Sequence, residues 1–165
     1  MKTNLLKTFF AALLLLCSSV ASAHDFEADG IFYNITDATA KTVEVTYKGD
    51  SYSEYNEYSG SVIIPSMVTY NNIVYSITGI AERAFYNCEG LTSIVISFDI
   101  TSIGEKAFYN CSNLKQVINF SSLNIVKGSE SNGYVGYYSN EIKNFNDDFK
   151  CVYYNYTFKK KDGEI

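Results

Sequence analysis

A chain of 165 residues with 18 acidic and 13 basic side chains carries a net charge of −5. That balance counts against nucleic acid and anionic membranes as partners, because like charges repel. One histidine and four cysteines leave little material for a histidine-based catalytic group or a zinc site, which wants four Cys/His ligands at short spacing.

Residues 1–23 read as a secretory signal peptide. Lys2 and Lys7 give a basic start, Phe9 to Leu16 an apolar core, and Ala21-Ser22-Ala23 the small residues a signal peptidase reads. An uncleaved anchor is one alternative. A lipid on Cys17 is another, and it usually needs a small residue where Leu16 stands. Cleavage would leave residues 24–165, one domain's worth of chain. Taking Lys2 and Lys7 from 13 basic residues leaves 11 against 18 acids, a net charge near −7. The exported chain has no predicted membrane insertion and no predicted nucleic-acid partner. The run Lys159-Lys160-Lys161 reads as a solvated tail.

Residues 24–60 read as a β cap followed by a loop. FEADGIFYNI and VEVTY flank TDATAKT, where Asp37 and small residues suit a hairpin turn. SYSEYNEYSG has no apolar period and reads as a loop. SVIIP is a short strand closed by the only proline. VTYNNIVYSI gives two strands about Asn71-Asn72, since asparagine tolerates positive φ.

A repeat follows. ITGIAERAFYNCEGLTSIVI and ITSIGEKAFYNCSNLKQVIN align without a gap, Ile77 on Ile100, and AFYNC is identical in both. Such self-similarity at one constant offset marks a repeat architecture. Each unit, 77–99 and 100–122, holds a helix-like stretch (AERAF, GEKAF) and then a β-rich one. That is one coil of a solenoid. Val62, Ile63 and Ile64 correspond to Ile94, Val95 and Ile96, so residues 61–76 form a partial coil with a hairpin inserted. The expected fold is an α/β-type solenoid, mostly β. It is a short stack of such coils, with a β-hairpin cap before it and a β-rich segment, 123–165, after it. In that last segment SLNIVKG offers one more strand and GSESNGYVGYYSNEIKN a loop with a short β stretch. DFKCVYYNYTFKKKDGEI is β-rich again.

The motif L-x-x-I-x-I with A-F-x-x-C-x-x-L resembles the BspA-like leucine-rich repeats of secreted bacterial surface proteins. Thr101-Ser102-Ile103-Gly104, Ala107-Phe108, Cys111, Leu114 and Val117 match closely. Thr78, Ile80, Ala84-Phe85, Cys88, Leu91, Ile94 and Ile96 match nearly as well. Two departures stand out: only two full repeats occur, and Asn119-Phe120 stands where the pattern has an apolar residue and proline. The resemblance implies a solenoid fold, a secreted or cell-surface location, and adhesion or protein binding with no catalytic residues. The partner it implies is a protein ligand, with host extracellular proteins among the options.

Few residues suggest chemistry. No catalytic, cofactor or metal residues are expected. Glu82 and Glu105 sit at equivalent positions and read as solvent-facing acids at the start of a helical turn. Gly79, Gly90 and Gly104 read as turn glycines. Cys88 and Cys111 would lie about 5 Å apart, one strand spacing, within disulfide range. Side chains in register point the same way, so two buried thiols are the favoured reading. Fifteen tyrosines, with Tyr52, Tyr55 and Tyr58 at every third position, keep a sugar-binding module open. A truncated repeat fragment without its own ligand is a further alternative.

The candidate partner face comes from strand alternation. Leu91, Ile94, Ile96, Leu114 and Val117 point inward. Ile63, Val95 and Ile118 then form an outward apolar stripe, flanked by Ser61, Ser93 and Gln116. An apolar stripe with a polar rim is the usual appearance of a protein contact site. The insert hairpin or the tyrosine-rich tail folding over it is the competing reading.

Overall fold

The computed structural model describes residues 24–49 and 58–145. Ten strands run through them: β1 Phe26–Ala28, β2 Ile31–Asp37, β3 Thr42–Thr46, β4 Gly60–Ile63, β5 Met67–Tyr70, β6 Ile73–Ile80, β7 Leu91–Ile96, β8 Ser102–Ile103, β9 Gln116–Asn119 and β10 Glu141–Asn144. They make two sheets. Sheet A runs β1-β2-β3-β6-β5 with β8 beside β6, and sheet B runs β10-β9-β7-β4.

The cap comes first. Asp29-Gly30 turns β1 into β2, both residues at positive φ, and Asp37 Oδ1 accepts from Thr39 N and Ala40 N to start the turn into β3. β1 to β3 are antiparallel. From there the chain pairs parallel: β3 with β6, and β6 with β8. Sheet B is parallel throughout. β5 and β6 form the hairpin expected from VTYNNIVYSI, with Asn71 and Asn72 at φ 49° and 62°.

Parallel pairing of equivalent repeat positions stacks the repeats as levels, Gly79 against Ser102 and Ile94 against Val117. Each repeat contributes a strand to sheet A, a run of turns, and a strand to sheet B. β3 and β4 supply those two strands one level earlier. β10 supplies the sheet B strand one level later, with Glu141 against Gln116 and Ile142 against Val117.

The turn runs are not helical, which corrects the α part of the expected fold. No helix occurs among the described residues. A helix needs successive N–H groups bonded four residues back. Here only alternate ones bond locally, and three residues back: Ala84 N to Ala81 O, Tyr86 N to Arg83 O, Cys88 N to Phe85 O. The others donate to the next level: Arg83 N to Glu105 O at 3.1 Å, Phe85 N to Ala107 O at 2.7 Å, Asn87 N to Tyr109 O at 2.9 Å. Arg83 and Lys106 take φ of 57° and 54°, Asn87 and Asn110 of 59° and 60°. Such residues end a right-handed helix wherever they occur. Glu82 and Glu105 therefore face no helix dipole; each pairs with its neighbour, Arg83 or Lys106.

Two smaller expectations also fail. SLNIVKG is not a strand, because Ser121 to Leu123 bend about the Asn119 side chain. Gly79 lies within β6, not in a turn. Gly104 is needed for close approach: a Cβ there would sit 2.3 Å from Glu82 N in the level before it.

The core repeats as the backbone does. Phe85 and Phe108 stack face to face, centroids 4.7 Å apart and planes 6° apart. Ala84, Ala107, Cys88, Cys111, Leu91 and Leu114 are buried around them. Tyr58 continues the stack one level earlier, 4.4 Å from Phe85. Its hydroxyl accepts from Phe32 N at 3.1 Å and donates to Thr46 O at 2.6 Å, which ties the cap to the repeats. Phe26 stacks on Tyr33 and Tyr70, so β1 returns beside β5 and closes the cap.

Phe108→Ala should cost about 3–5 kcal/mol, the usual effect of deleting a buried ring, because Phe85 loses its stacking partner. Chemical denaturation reads this directly, and an unmoved midpoint would refute the stacking register. A second outcome concerns Glu44 on β3. Burial raises its carboxyl above the usual range, against a smaller lowering by the Asn34 side chain. The folded chain thus holds this proton more tightly than the unfolded one. The stabilising contribution is complete below the unfolded value, about 4.3, and is lost as pH rises through the raised folded value. Glu44→Gln should therefore gain stability relative to the unaltered chain between pH 4 and 7. Melting curves at both pH values test it; a pH-independent difference would contradict the raised, half-buried carboxyl.

Candidate functional site

The outer face of sheet B is built by a small irregularity. The spacing in L-x-x-I-x-I is three and then two, which pure alternation cannot bury. Between Gly60 and Ser61 the pairing shifts: Gly60 lies opposite Leu91, but Ser61 opposite Ser93. Thr92 is skipped, and its Oγ1 donates to Gly60 O at 2.9 Å. A bulge of this kind lets Leu91, Ile94 and Ile96 all point inward, and all three are buried.

The opposite side then carries two columns. In one, Ser61, Ser93, Gln116 and Glu141 lie side by side; in the other, Ile63, Val95, Ile118 and Lys143. Ile63 is 51% exposed, and Val95 and Ile118 are half-buried. The structure thus places Ile63, Ser93, Val95, Gln116 and Ile118 together, in the register their sequence positions imply. Ser93 Oγ donates to Ser61 Oγ at 2.7 Å, and Gln116 Nε2 to Glu141 Oε2 at 2.9 Å. Lys143 Nζ lies 2.9 Å from Glu141 Oε1. The hydrogen bonds from Lys143 and Gln116 hold the exposed Glu141 carboxyl below its usual range. So the polar rim bonds along the column, and a salt bridge closes the apolar stripe at the β10 end.

The short β stretch expected within GSESNGYVGYYSNEIKN is β10, but sequence reasoning did not place it in register with β9 and so left Glu141, Lys143 and Phe145 out of this face. A signal was present. Val117-Ile118-Asn119-Phe120 recurs as Ile142-Lys143-Asn144-Phe145, at an offset slightly longer than that of the AFYNC units. Phe120 and Phe145 stack at 5.0 Å, and alternation carries them to the side that bears Ile118 and Lys143. Asn119, the departure from the apolar pattern, is buried and well bonded. Its Nδ2 donates to Leu123 O and Asn144 Oδ1, and its Oδ1 accepts from Ser121 N and Ser121 Oγ.

The other residues singled out from sequence do not assemble into a site. Tyr58 is core; Tyr52 and Tyr55 lie outside the described residues, as do residues 1–23, Cys151 and Lys159-Lys160-Lys161. Cys88 and Cys111 are buried thiols. Cys111 Sγ donates to Phe85 O at 3.0 Å, and burial pushes its thiol up, away from the reactive thiolate. The ring of His24 packs edge-on to Phe32. Among the described residues no group of three or more His, Cys, Asp or Glu is placed to hold a metal ion. A different aromatic array runs along the turns, with Tyr86 stacked on Tyr109 and Tyr109 edge-on to Tyr134.

Residues 65–160 match the model of the BspA type leucine rich repeat region. The chain belongs to the BspA-type leucine-rich repeat family. The match includes both AFYNC units and β10. Two solved structures are similar to this repeat protein. One is a leucine-rich repeat protein from Bacteroides ovatus, 27% identical with a TM-score of 0.52 over 76% of this chain and 38% of that one. The other is a leucine rich cell surface protein from Faecalibacterium prausnitzii, 23% identical with a TM-score of 0.50 over 76% of this chain and 34% of that one. The chain therefore spans little more than a third of either protein's length. No curated protein matches it.

Asn119 is the internal support of this face, so Asn119→Leu should lower stability by about 1–3 kcal/mol, the usual cost of stranding buried polar partners. Ser121 N and Leu123 O would lose their partner, against a gain in apolar burial. Equal or higher stability in the variant would mean the repeat's apolar consensus fits here after all.

Proposed function

We propose that this repeat protein is a non-enzymatic binding module acting at the cell surface or outside the cell. On this reading the stacked levels form a short solenoid, and the outer face of sheet B is its contact surface for a protein ligand. The observation that carries the proposal is the aligned, outward-facing column of the exposed Ile63 and the half-buried Val95 and Ile118, rimmed by Ser61, Ser93 and Gln116. Parallel strands space such side chains about 4.8 Å apart, so the column is a continuous apolar strip. Repeat stacks offer extended surfaces of this kind for recognition. The cell-surface description of the similar Faecalibacterium prausnitzii protein favours the location, and the reading of residues 1–23 as a signal peptide favours export.

The test uses a panel of immobilised host extracellular proteins, with a glycan array in parallel. The full chain should bind at least one panel protein, and Val95→Lys should weaken that binding more than tenfold. The melting temperature should stay nearly unchanged, because Val95 points away from the core. Binding that survives the substitution, or a silent protein panel beside a positive glycan array, would overturn the reading. A large fall in melting temperature would do so too, by making Val95 part of the core.

A further inference from the structure

The outer face of sheet B carries two chemistries in parallel lines. The column Ile63, Val95, Ile118 is apolar, and the column Ser61, Ser93, Gln116 beside it is polar and uncharged. The polar column has hydrogens to give. Ser93 Oγ donates to Ser61 Oγ, which leaves Ser61 its own hydroxyl proton. Gln116 Nε2 spends one of its two N–H groups on Glu141 Oε2 and keeps the other. Past Ile118 and Gln116 the strip is closed by Glu141 and Lys143, which pair with each other.

A ligand lying along these columns crosses the strands, so its period must match theirs. Two strand intervals separate Ile63 from Ile118, and Ser61 from Gln116; at about 4.8 Å each, that is about 9.6 Å. A polyproline II helix repeats every three residues, about 9.3 Å. An extended strand repeats every two, about 6.8 Å, and an α-helix returns to the same face after seven, about 10.5 Å. Backbone chemistry separates these further. An α-helix spends its carbonyls internally, whereas polyproline II makes no internal hydrogen bonds and proline has no N–H. A proline-rich backbone therefore brings acceptors, and the free hydrogens of Ser61 and Gln116 are what it needs.

We infer that the ligand of this face is an uncharged, proline-rich segment of another protein, held in the polyproline II conformation along the stack axis. The inference rests on the proposed use of this face and adds the chemistry of its partner. Residues i and i+3 of the segment pack on Ile63 and Ile118, with Val95 under the middle. Carbonyls three residues apart accept from Ser61 Oγ and Gln116 Nε2. One such period fills the strip before the Glu141–Lys143 pair, and the strip itself carries no charge for a charged segment to meet. A contact so short needs a ligand with little order to lose, and polyproline II is already formed in the free peptide.

The probes are two end-capped peptides, four repeats of Leu-Pro-Pro and four repeats of Leu-Gly-Gly, added to the isotope-labelled full chain up to about 1 mM, where weak contacts register. Both carry leucine at every third position, and only the first is set in polyproline II. Amide chemical shifts should move at Ser61, Ile63, Val95, Gln116 and Ile118 with the proline peptide, which should bind at least tenfold more tightly than the glycine one. Val95→Lys should weaken it at least tenfold. Gln116→Leu should weaken it at least threefold, although it enlarges the apolar surface. If Val95→Lys fails to fold, the shift map and Gln116→Leu decide. Shifts that map elsewhere, equal affinity for the glycine peptide, or undiminished binding in Gln116→Leu would overturn the inference. So would two silent peptides; a panel protein still lost on Val95→Lys would then leave the binding module standing without this ligand.

Discussion

The peptide N–H groups of Arg83, Phe85 and Asn87 have no acceptor in their own level. Each finds one in the level that follows, on Glu105, Ala107 and Tyr109. Buried backbone donors without partners are costly, so one repeat cannot be satisfied alone. The same holds for its side chains, since Phe85 buries its faces against Tyr58 on one side and Phe108 on the other. Neighbours are a condition of folding here, and the fold's two ends follow from that condition.

At the start, Tyr58 substitutes for the repeat phenylalanine and uses its hydroxyl to bond Phe32 N and Thr46 O. A phenylalanine could fill the same space but could not satisfy those two cap groups. After the second AFYNC unit the solution changes. Phe108 N donates to Gly133 O, and Gly133 approaches so closely that a Cβ would lie 2.5 Å from Gly104 O. Val135 and Ile125 fill the interior. The level is kept although its sequence no longer spells the motif.

That contrast explains what was legible beforehand. The inward residues stack on their own copies, so Phe, Cys and Leu recur at a fixed offset and disclose the core, the register of β7 and β9, and the outward stripe. The hairpin at Asn71-Asn72 was legible because two successive positive φ angles favour asparagine there. The absent helix was not. Glu, Arg, Lys and Ala have good helical propensities, but backbone bonds to the next level override them, and propensity carries no trace of a partner in the following repeat. The place of β10 in the stack was hidden for a similar reason. Its longer offset and its lysine, where the pattern has an aliphatic residue, break the letters while backbone pairing preserves the place.

The same division separates folding from recognition. Most inward positions keep one residue type or a close relative, as at Phe85 and Phe108 or Ile94 and Val117, because each must fit between its counterparts in adjacent levels; where Asn119 replaces Ile96, its own hydrogen bonds make up the difference. Outward positions touch only their neighbours in a column. There the chain varies: Ser, Ser, Gln and Glu in one column, Ile, Val, Ile and Lys in the next. None of these changes disturbs the level beneath it, because the backbone bonds that fix each strand are made by peptide groups common to all residues. The outer face of sheet B can therefore change its chemistry one residue at a time while the stack that presents it stays the same. The bulge at Thr92 gives this separation its geometry: it brings Leu91 into the core and leaves Ser93 and Val95 facing out.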